Sequence, residues 1–385
     1  MHALRIFCIG TGSPHDDGWV ALCREAGAAV AFYLLDGHRT LLRGADFDIA
    51  WQGNTPGRGG ADPVVDTAAR RLALDRLKQA IQAFQPDVVH AFGMDPAGYF
   101  TADAMAQSNT PFVLQIRGGP EIGLYGQEPA AVARMRVVLA RCDGLIADND
   151  VNLEFAARHG LRDDVRRRCI GAVPGGGGLS PADMVAPADD ATRAPLVLWP
   201  KAYANPSVDG YAIAHGLRLA FQQAPGLQVQ LLFAHQPDFL RWLRGYWPAG
   251  LLARARIAGF VPRPAVLDAL REAHVMLAPS LLDGVPNVML ESMACGALPV
   301  VSPHATLPAR FLHAPGIGYA SNLDATQIAD AIVQRLQAQA SSVREWRAAN
   351  RELALSHATR ANVAAKVAGL YRGIAGHGAS ARAVP

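Results

Sequence analysis

Short apolar runs alternate with amphipathic stretches along most of the chain. In the first half the runs are almost continuously hydrophobic, a pattern typical of parallel strands that are covered on both faces. They occupy residues 4–10, 28–35, 87–93, 112–118 and 144–148. Residues 67–84 carry apolar side chains at helical spacing, and Pro86 ends that segment. The first half is therefore predicted to consist of repeated strand–helix units.

The second half repeats this alternation after an interruption. Residues 179–195 are rich in Pro, Ala and Asp and have no periodicity, which favours a linker between domains. Beyond it a helix is predicted at residues 212–224. The predicted strands of this half are residues 196–200, 227–234, 255–261, 274–280 and 297–303. We therefore expect an α/β fold with two Rossmann-like, doubly wound domains that face each other across a cleft.

The expected domain boundaries follow these changes of pattern. The N-terminal domain is predicted at residues 1–185, the linker at 186–195 and the C-terminal domain at 196–355. A further helix is predicted at 356–374, and the Gly, Ala and Ser residues of 375–385 predict a flexible tail. Two domains also agree with a length of 385 residues, given about 150 residues per domain.

Composition and charge narrow the class of protein. Hydrophobic residues make up 50% of the chain, yet no apolar run approaches the roughly 18 residues needed to span a bilayer. The first residues lack the basic segment and cleavage site of an export signal, so a cytoplasmic location is expected. Five scattered cysteines predict neither a disulfide framework nor a zinc site, and a net charge of +3 does not indicate nucleic-acid binding. The basic residues 162–169 are predicted to form a solvated helix end, with peripheral contact to the inner face of a membrane as the alternative.

Residues 279–301, PSLLDGVPNVMLESMACGALPVV, contain two acids, Asp283 and Glu291, on either side of a helix start. They follow a predicted strand, and the C-terminal ends of parallel strands are where ligands bind. Pro286 precedes a predicted helix Asn287–Cys295, which a glycine closes. The first amides of such a helix lack intrahelical partners and lie at the positive end of its dipole. We therefore expect a phosphate to bind at this helix start.

Glu291 lies about 6 Å along the helix axis from Asn287, given a rise of about 1.5 Å per residue, and on the same face. This separation resembles that between the phosphate and the ribose of a nucleotide, and acidic residues bind ribose hydroxyls in dinucleotide folds. The pattern predicts a nucleotide clamp, in which Asp283 faces whatever lies beyond the phosphate. An alternative is equally open: Asp283 caps the turn and Glu291 is a surface acid.

The same stretch resembles the retaining, nucleotide-sugar-dependent glycosyltransferases of GT-B fold, of the group 1 or family 4 type. Their motif is E-x7-E followed by AMACGxPVV, and this chain reads D-x7-E in DGVPNVMLESMACGALPVV. Weaker similarity extends over most of the chain, in FQPDVVHAFG (84–93), RCDGLIADND (141–150) and GFVPRPAVLDALREAHVMLAPS (259–280). The resemblance implies an N-terminal acceptor-binding domain, a C-terminal nucleotide-sugar-binding domain and a last helix that crosses back to the N-terminal domain.

The resemblance also implies roles for residues of the C-terminal domain. Glu291 would hold the ribose, Asp283 would contact the donor sugar, and Lys201 would stabilise the leaving diphosphate without the bidentate fork of the family's usual arginine. For Lys201 the alternative is a surface lysine. The family's second basic residue is absent from residues 202–211, and either Arg263 or another residue is expected to substitute for it. The other implied donor-side residues are Val261, Gly284, Val285, Pro286, Asn287, Val288 and, from the N-terminal domain, Gly12.

In the N-terminal domain the resemblance points to two loops and a strand end. As a dinucleotide fingerprint the loop with Gly12 lacks the third glycine, and the resemblance instead implies that it approaches the donor phosphate and the acceptor. Arg117 is expected to contact an anionic group and is the third catalytic candidate. An equally open alternative is that it forms a structural ion pair. For His90, a buried core histidine is the slightly favoured alternative. The implied acceptor-side residues are Gly12, His90, Arg117, Gly118 and Glu121.

By resemblance, the expected reaction transfers a sugar from a nucleoside diphosphate sugar, of UDP or GDP type, to a hydroxyl of a glycan, a lipid-linked glycan or a small molecule. Retention of configuration and a front-face mechanism are expected, in which the departing phosphate takes the proton of the acceptor. The leaving diphosphate needs positive potential, but neither a cofactor nor a metal is expected. Residues 148–150, Asp-Asn-Asp, are predicted to cap a helix rather than to bind a metal.

Other activities remain open on the same architecture, because a fold does not fix its chemistry. A sugar-nucleotide epimerase is one alternative, and a phosphorylase is another, although the chain is short for it. A non-catalytic partner in a polysaccharide assembly complex is the third. Asp283 in place of the family's glutamate and the missing second basic residue keep this third alternative open.

Overall fold

The computed structural model describes residues 3–35, 49–53, 68–118, 126–185 and 193–382. The chain divides into two compact units. The first consists of Met1–Gly178 and Arg360–Pro385, and the second of Leu179–Thr359. Each unit contains one parallel sheet with helices around it, which confirms the expected α/β fold with two doubly wound domains.

Six parallel strands form the sheet of the first unit. They are β1 (Arg5–Gly10), β2 (Ala29–Leu35), β3 (Ile49–Gly53), β4 (Val88–Phe92), β5 (Phe112–Ile116) and β6 (Gly144–Ala147). Their order in the sheet is β3-β2-β1-β4-β5-β6. Every residue of β4, β5 and β6 is buried, which is why these runs are continuously hydrophobic. The apolar pattern predicts these strands but misses β3.

Helices surround this sheet and complete two hydrophobic clusters. They are α1 (Pro14–Glu25), α2 (Ala68–Phe84), α3 (Tyr99–Ala104), α4 (Pro129–Arg141), α5 (Asp150–Arg158) and α6 (Asp163–Arg166), with a π-helical turn at Met94–Gly98. Alternate residues of β1 enter the two clusters: Phe7 and Ile9 join one, and Ile6 and Cys8 join the other. Because side chains alternate along a strand, the two clusters lie on opposite faces of the sheet.

The second unit contains another six-stranded parallel sheet. Its strands are β7 (Leu196–Trp199), β8 (Gln228–Leu231), β9 (Ala255–Ile257), β10 (Val275–Ala278), β11 (Leu298–Val301) and β12 (Gly318–Tyr319). Their order is β12-β11-β10-β7-β8-β9. Strand β10 is thus paired with both β7 and β11, and the loops that leave the C-terminal ends of these three strands share one edge of the sheet.

Longer and shorter helices pack on this second sheet. They are α7 (Gly210–Gln223), α8 (Pro237–Tyr246), α9 (Ala249–Leu252), α10 (Arg263–Glu272), α11 (Asn287–Cys295), α12 (Ala309–Leu312), α13 (Ala325–Leu336) and α14 (Ala340–Ala358). A 3₁₀ helix at Pro181–Met184 precedes them. Helices α7 and α13 approach so closely at Gly216 that an added Cβ would lie 2.5 Å from Cγ2 of Ile328.

The last helix, α15 (Arg360–Arg382), belongs to the first unit. Its residues Val363, Val367 and Tyr371 join the cluster that contains Ile6. The sequence analysis predicted one helix at 356–374 and a flexible tail, whereas α14 ends at Ala358 and α15 runs to Arg382. The helix continues to Arg382 because this segment contains many alanines and has no proline between Arg360 and Pro385. Residues 383–385 of the predicted tail lie outside the described residues.

The division between the units differs from the predicted domain boundary. Residues 179–185 belong to the second unit, although the prediction ends the first domain at 185. The reason is local bonding, since the amide of Leu179 donates to the carbonyl of Ala358 at 2.6 Å. Residues 186–192 of the predicted linker lie outside the described residues. Arg193 belongs to the last part of the predicted linker, and its guanidinium donates to carbonyl groups after α10 and at the end of α11.

Candidate functional site

Helix α11 begins and ends where the sequence predicts. Pro286 is its N-cap residue, and Gly296 ends it with a φ of 78°, a left-handed conformation that favours glycine. Among the described residues, no side chain caps the N-terminus of the helix. The amides of Met289 and Leu290 donate to the carbonyl of Pro286 and begin the helical bonding. The amides before them lie at the positive end of the dipole, a suitable place for a phosphate.

Glu291 is buried within this helix. All residues from Val288 to Cys295 are buried, and Glu291 is 8% exposed. The alternative of a surface acid is therefore wrong, because α11 is surrounded by apolar residues of the second unit. Burial raises the pKa of Glu291, because the carboxylate loses hydration, while Arg263 opposes the rise.

Arg263 bridges Glu291 and a second carboxylate, that of Asp183. Its Nη1 lies 3.0 Å from Oε1 of Glu291, and its Nη2 lies 2.6 Å from Oδ1 of Asp183. Although burial disfavours the charged guanidinium, the two carboxylates raise the pKa of Arg263. The expected donor-side residues Arg263 and Glu291 are thus in direct contact. No sequence motif pointed to Asp183, which lies three residues after Ser180 and forms a capping box with it in the structure.

Lys201 and Asp283, two of the catalytic candidates, form a second charged pair. Lys201 follows β7 and Asp283 follows β10, and the distance between Nζ and Oδ2 is 3.9 Å. The side chains are 42% and 22% exposed, so the pair remains accessible to a ligand. The carboxylate of Asp283 raises the pKa of Lys201, which is therefore an ammonium ion at neutral pH. Lys201 thus lies partly at the surface beside the predicted donor-sugar residue, and its role at the diphosphate stays a prediction.

The turn after Asp283 is held by residues that the sequence analysis missed. The hydroxyl of Thr306 donates to the carbonyl of Asp283 at 2.9 Å and to that of Gly284 at 3.3 Å. His304 lies 3.0 Å from the hydroxyl of Ser280 through its Nε2. Burial lowers the pKa of His304, against the opposing effect of Asp283. The position of these residues after β10 and β11 was the one available signal, because loops at these strand ends face ligands.

The remaining predicted donor-side residues of this unit form the wall next to α11. Gly284, Val285, Pro286 and Val288 are buried, while Asn287 and Val261 are half-buried. The side chains of Val285 and Val288 pack into the hydrophobic cluster around α11. A ligand at this position would therefore meet their backbone rather than their side chains.

In the first unit, Arg117 forms an ion pair with a buried carboxylate. Its Nη1 lies 2.8 Å from Oδ1 of Asp16, and its Nη2 donates to the carbonyl of Phe92 at 2.9 Å. The other oxygen of Asp16 accepts from the amide of Gly12 at 2.8 Å. The structural ion pair, one of the two alternatives for Arg117, is the one observed. Asp16 therefore pairs with Arg117 and occupies the Gly12 amide, and the expected ligand contacts of both residues stay predictions.

The Asp-Asn-Asp segment caps a helix, as predicted. The side chain of Asn149 accepts from the amide of Asn152 at 2.9 Å, at the start of α5. Asp148 accepts from the amide of Gly118 at 2.7 Å, which ties that predicted acceptor-side residue to the cap. Glu121, the other residue of that loop, lies outside the described residues.

His90 is a core histidine, which corrects its acceptor-side assignment. It lies in the middle of β4, is 0% exposed, and has its Nδ1 2.6 Å from the hydroxyl of Tyr371 on α15. Burial, aided by the charge of Arg117, lowers the pKa of His90 to about 3. The ring also packs edge-on against Trp19 and Phe92. A fully enclosed ring makes no contact with an acceptor.

Within the described ranges, no group of three or more His, Cys, Asp or Glu side chains is placed to hold a metal ion. All five cysteines lie within these ranges, and none forms a disulfide. Among the helices described, none combines the length and the hydrophobicity needed to cross a membrane.

Comparison with protein families supports the resemblance found in the sequence. Residues 214–338 match the family model described as glycosyl transferases group 1. The match extends from α7 to just beyond α13 and contains Arg263, Asp283 and Glu291. The resemblance to this family is thereby confirmed, while the reading of D-x7-E as its E-x7-E motif stays a prediction. No curated protein matches the sequence of the chain.

Solved structures with this architecture cover almost the whole chain. HepE from Anabaena, in complex with UDP and glucose, has a TM-score of 0.74 at 14% identity and covers 96% of this chain and 100% of its own. Sucrose-phosphate synthase from Thermosynechococcus elongatus has a TM-score of 0.69 at 17% identity, with coverages of 96% and 99%. UDP-GlcNAc 2-epimerase from Neisseria meningitidis, bound to UDP-GlcNAc, has 0.63 at 10%, with coverages of 95% and 99%. At these identities the comparisons show the shared GT-B fold.

Proposed function

We propose that this protein is a glycosyltransferase that transfers a sugar from a UDP-sugar to a hydroxyl acceptor. The observation that carries the proposal is Glu291, a buried carboxylate one turn inside an uncapped helix start, in a segment that matches the group 1 glycosyltransferases. The choice of uridine over guanosine is supported by the UDP bound to HepE, a protein of the same fold.

In the proposed donor complex each part of the nucleotide meets a different group. The diphosphate lies at the start of α11, against the amides of Asn287 and Val288, because that end of the helix is the positive end of its dipole. The carboxylate of Glu291, about one turn further along the same face, accepts hydrogen bonds from the ribose hydroxyls. Arg263 fixes one oxygen of that carboxylate at 3.0 Å and so orients it.

Lys201 and Asp283 are proposed to act at the reacting end of the donor. The bond between C1 of the sugar and the diphosphate breaks, and negative charge develops on the departing oxygen. Lys201 stabilises this charge together with the helix amides, in an arrangement built before the reaction begins. Asp283, 3.9 Å away, keeps Lys201 protonated and contacts hydroxyls of the sugar.

We propose a front-face reaction with retained configuration and without a metal or a cofactor. The acceptor oxygen bonds to C1 on the face that the diphosphate leaves, and the acceptor proton passes to the departing phosphate oxygen. No protein nucleophile is then needed, and the positive groups at α11 and Lys201 balance the charge of the leaving group. The acceptor is proposed to be a glycan or a lipid-linked glycan; a lipid-linked one would bring the protein into peripheral contact with the inner face of a membrane.

Calorimetric titration with UDP, GDP and a set of UDP-sugars tests the first step. We expect UDP and at least one UDP-sugar to bind and to raise the melting temperature. ³¹P and ¹H NMR of the same mixtures, with water as the slow acceptor, should show release of UDP and a sugar with the anomeric configuration of the donor. Absence of binding by every nucleotide at millimolar concentration would reject the proposal, and binding without turnover would favour the non-catalytic alternative.

A sugar-nucleotide epimerase is a second candidate, because an enzyme named for that activity shares the fold over 95% of this chain. The two activities differ in product. Incubation with UDP-GlcNAc should give free UDP if the protein is a transferase using that donor. Formation of an isomeric sugar, detected by new anomeric proton signals, would identify an epimerase instead.

A further inference from the structure

Asp183 is a fully buried carboxylate in the short 3₁₀ helix Pro181–Met184. Its Oδ2 accepts from the amide of Ser180 at 2.6 Å and from the hydroxyl of Ser180 at 2.8 Å. These bonds fix its orientation. Its Oδ1 accepts from Nη2 of Arg263 at 2.6 Å. A buried carboxylate with this many donors is a fixed negative charge, and Arg263 is the cation that pairs with it.

Arg263 needs a second anchor to stay on Glu291. It is the first residue of α10, and half of its side chain is exposed to solvent. Arginine side chains lose much rotamer entropy when they are fixed, so one ion pair with a half-exposed guanidinium is a weak restraint. The planar fork of the guanidinium allows one nitrogen to bond Asp183 and another to bond Glu291.

We propose that Asp183 is a positioning residue for the nucleotide site: it holds Arg263, and Arg263 holds the Glu291 carboxylate in its charged and oriented form. The inference rests on the proposed function in one respect, that Glu291 receives the ribose. Asp183 itself is fully buried, so it has no exposed surface to offer a donor. It acts through Arg263.

The pKa of Glu291 should change in one direction if Asp183 acts through Arg263, and in the opposite direction if Asp183 acts on Glu291 directly. Arg263 from α10, Asp183 from the 3₁₀ helix and Lys201 from the loop after β7 act on Glu291, and the thiol of Cys295 is near on the same helix. Asp183 alone is a like charge, so removing it directly would lower the pKa of Glu291. If Asp183 instead anchors Arg263, removing it releases the opposite charge and raises the pKa of Glu291.

The variant Asp183→Asn tests this sign in the full-length protein. We expect UDP affinity at pH 7 to fall about tenfold, which corresponds to about 1.4 kcal/mol. The acid limb of the pH profile of UDP binding should move to higher pH than in the wild type. A shift to lower pH, or no shift, would overturn the proposal. Asp268→Asn is the matched control, since it removes an exposed carboxylate paired with Arg271 on the same helix α10, and it should change neither property.

A double-mutant cycle separates positioning from a general loss of structure. In an Arg263→Ala background, Asp183→Asn should produce no further loss of UDP affinity, because the connection is already broken. Additive losses would overturn the proposal. If Asp183→Asn does not fold, Arg263→Lys replaces it, since a lysine keeps the charge but lacks the fork that spans both carboxylates; it should reproduce the pH shift, and a wild-type profile would count against the proposal.

The titration of Glu291 can also be followed without a nucleotide. ¹³C NMR of the side-chain carboxyl carbon, assigned by comparison with Glu291→Gln, should show a higher pKa in Asp183→Asn than in the wild type. A protein that binds no nucleotide but shows this shift would retain the Asp183 inference and lose the proposed function. A lower or equal pKa in the variant would remove the inference, whatever the nucleotide does.

Discussion

The ammonium group of Lys201 and the carboxylate of Asp283 lie 3.9 Å apart, after the neighbouring strands β7 and β10. The two residues are 82 positions apart in the chain, as their numbers show, and only the pairing of these strands brings them together. A charge pair that remains partly exposed at this edge of a parallel sheet is suited to a charged, sugar-bearing ligand.

Lys201→Ala should lower kcat about 100-fold, since removal of one preorganised electrostatic group has an effect of that order. The KM for the donor should rise less, because the charge of the leaving group develops mainly in the transition state. Steady-state kinetics of UDP release measures both constants. Lys366→Ala, at an exposed lysine of α15, is the control. A variant of Lys201 with the kcat of the wild type would exclude Lys201 from the reaction.

Glu291→Gln should weaken UDP binding at least tenfold while the melting temperature changes little. The amide keeps the shape of the side chain but loses the charged acceptor for ribose hydroxyls. Arg263 retains its bond to Asp183, so no cation is left buried without a partner. Calorimetric titration and thermal unfolding give the two values. If affinity is unchanged, the nucleotide clamp is wrong; if both values collapse together, Glu291 has a structural role.

The stability of the protein should carry a pH signature of Glu291. Burial raises the pKa of Glu291 in the folded state above its ordinary value of 4.5, so the folded chain binds this proton more tightly than the unfolded chain does. As pH rises through this folded pKa, the buried carboxylate therefore reduces stability. Glu291→Gln should gain free energy of unfolding relative to the wild type as the pH is raised from 4 to 8. Urea unfolding at several pH values measures this difference, and a gain in the opposite direction contradicts the assignment.

His90 should make the first unit sensitive to acid. Burial lowers the pKa of His90 from 6.5 to about 3, so the unfolded chain takes up a proton in this interval that the folded chain does not. Stability contributed by the neutral ring is fully present above pH 6.5 and is lost as pH falls toward 3. His90→Gln should flatten the decline in urea-unfolding free energy between pH 7 and pH 5. His215→Gln, at an exposed histidine, should leave the decline unchanged.

Thr306→Val should affect the sugar more than the nucleotide. Its hydroxyl holds the carbonyl groups of Asp283 and Gly284, so its loss frees the turn that carries the proposed sugar contact. We expect several-fold weaker binding of a UDP-sugar and little change for UDP. Thr306→Ser, which keeps the hydroxyl, should bind both as the wild type does. Equal weakening for UDP and UDP-sugar would place Thr306 outside the sugar subsite.

Local patterns predicted many of the strands and helices of this protein, although they missed β3 and the break between α14 and α15. Continuous apolar runs predict β4, β5 and β10 because these strands are buried on both faces. Pro286 and Gly296 predict the bounds of α11. A proline is tolerated at a helix start but not in a helix interior, and a glycine accepts the left-handed φ that ends the helix. These strands and helix bounds can be predicted because they depend on steric effects between residues that are only a few positions apart in the chain.

The partners of the charged side chains could not be predicted from the sequence. It indicated Glu291 as an acid on a helix but left its burial undecided, and it gave no reason to place Asp183 beside Arg263. It also left the ion pair of Arg117 as one of two alternatives, because Asp16 is a hundred positions away in the chain, as the numbering shows. Burial and ion pairing depend on which strands are neighbours and on which helix covers which face. Packing over the whole unit determines which strands and helices are neighbours. It therefore also determines which carboxylates are buried and which cation pairs with each of them.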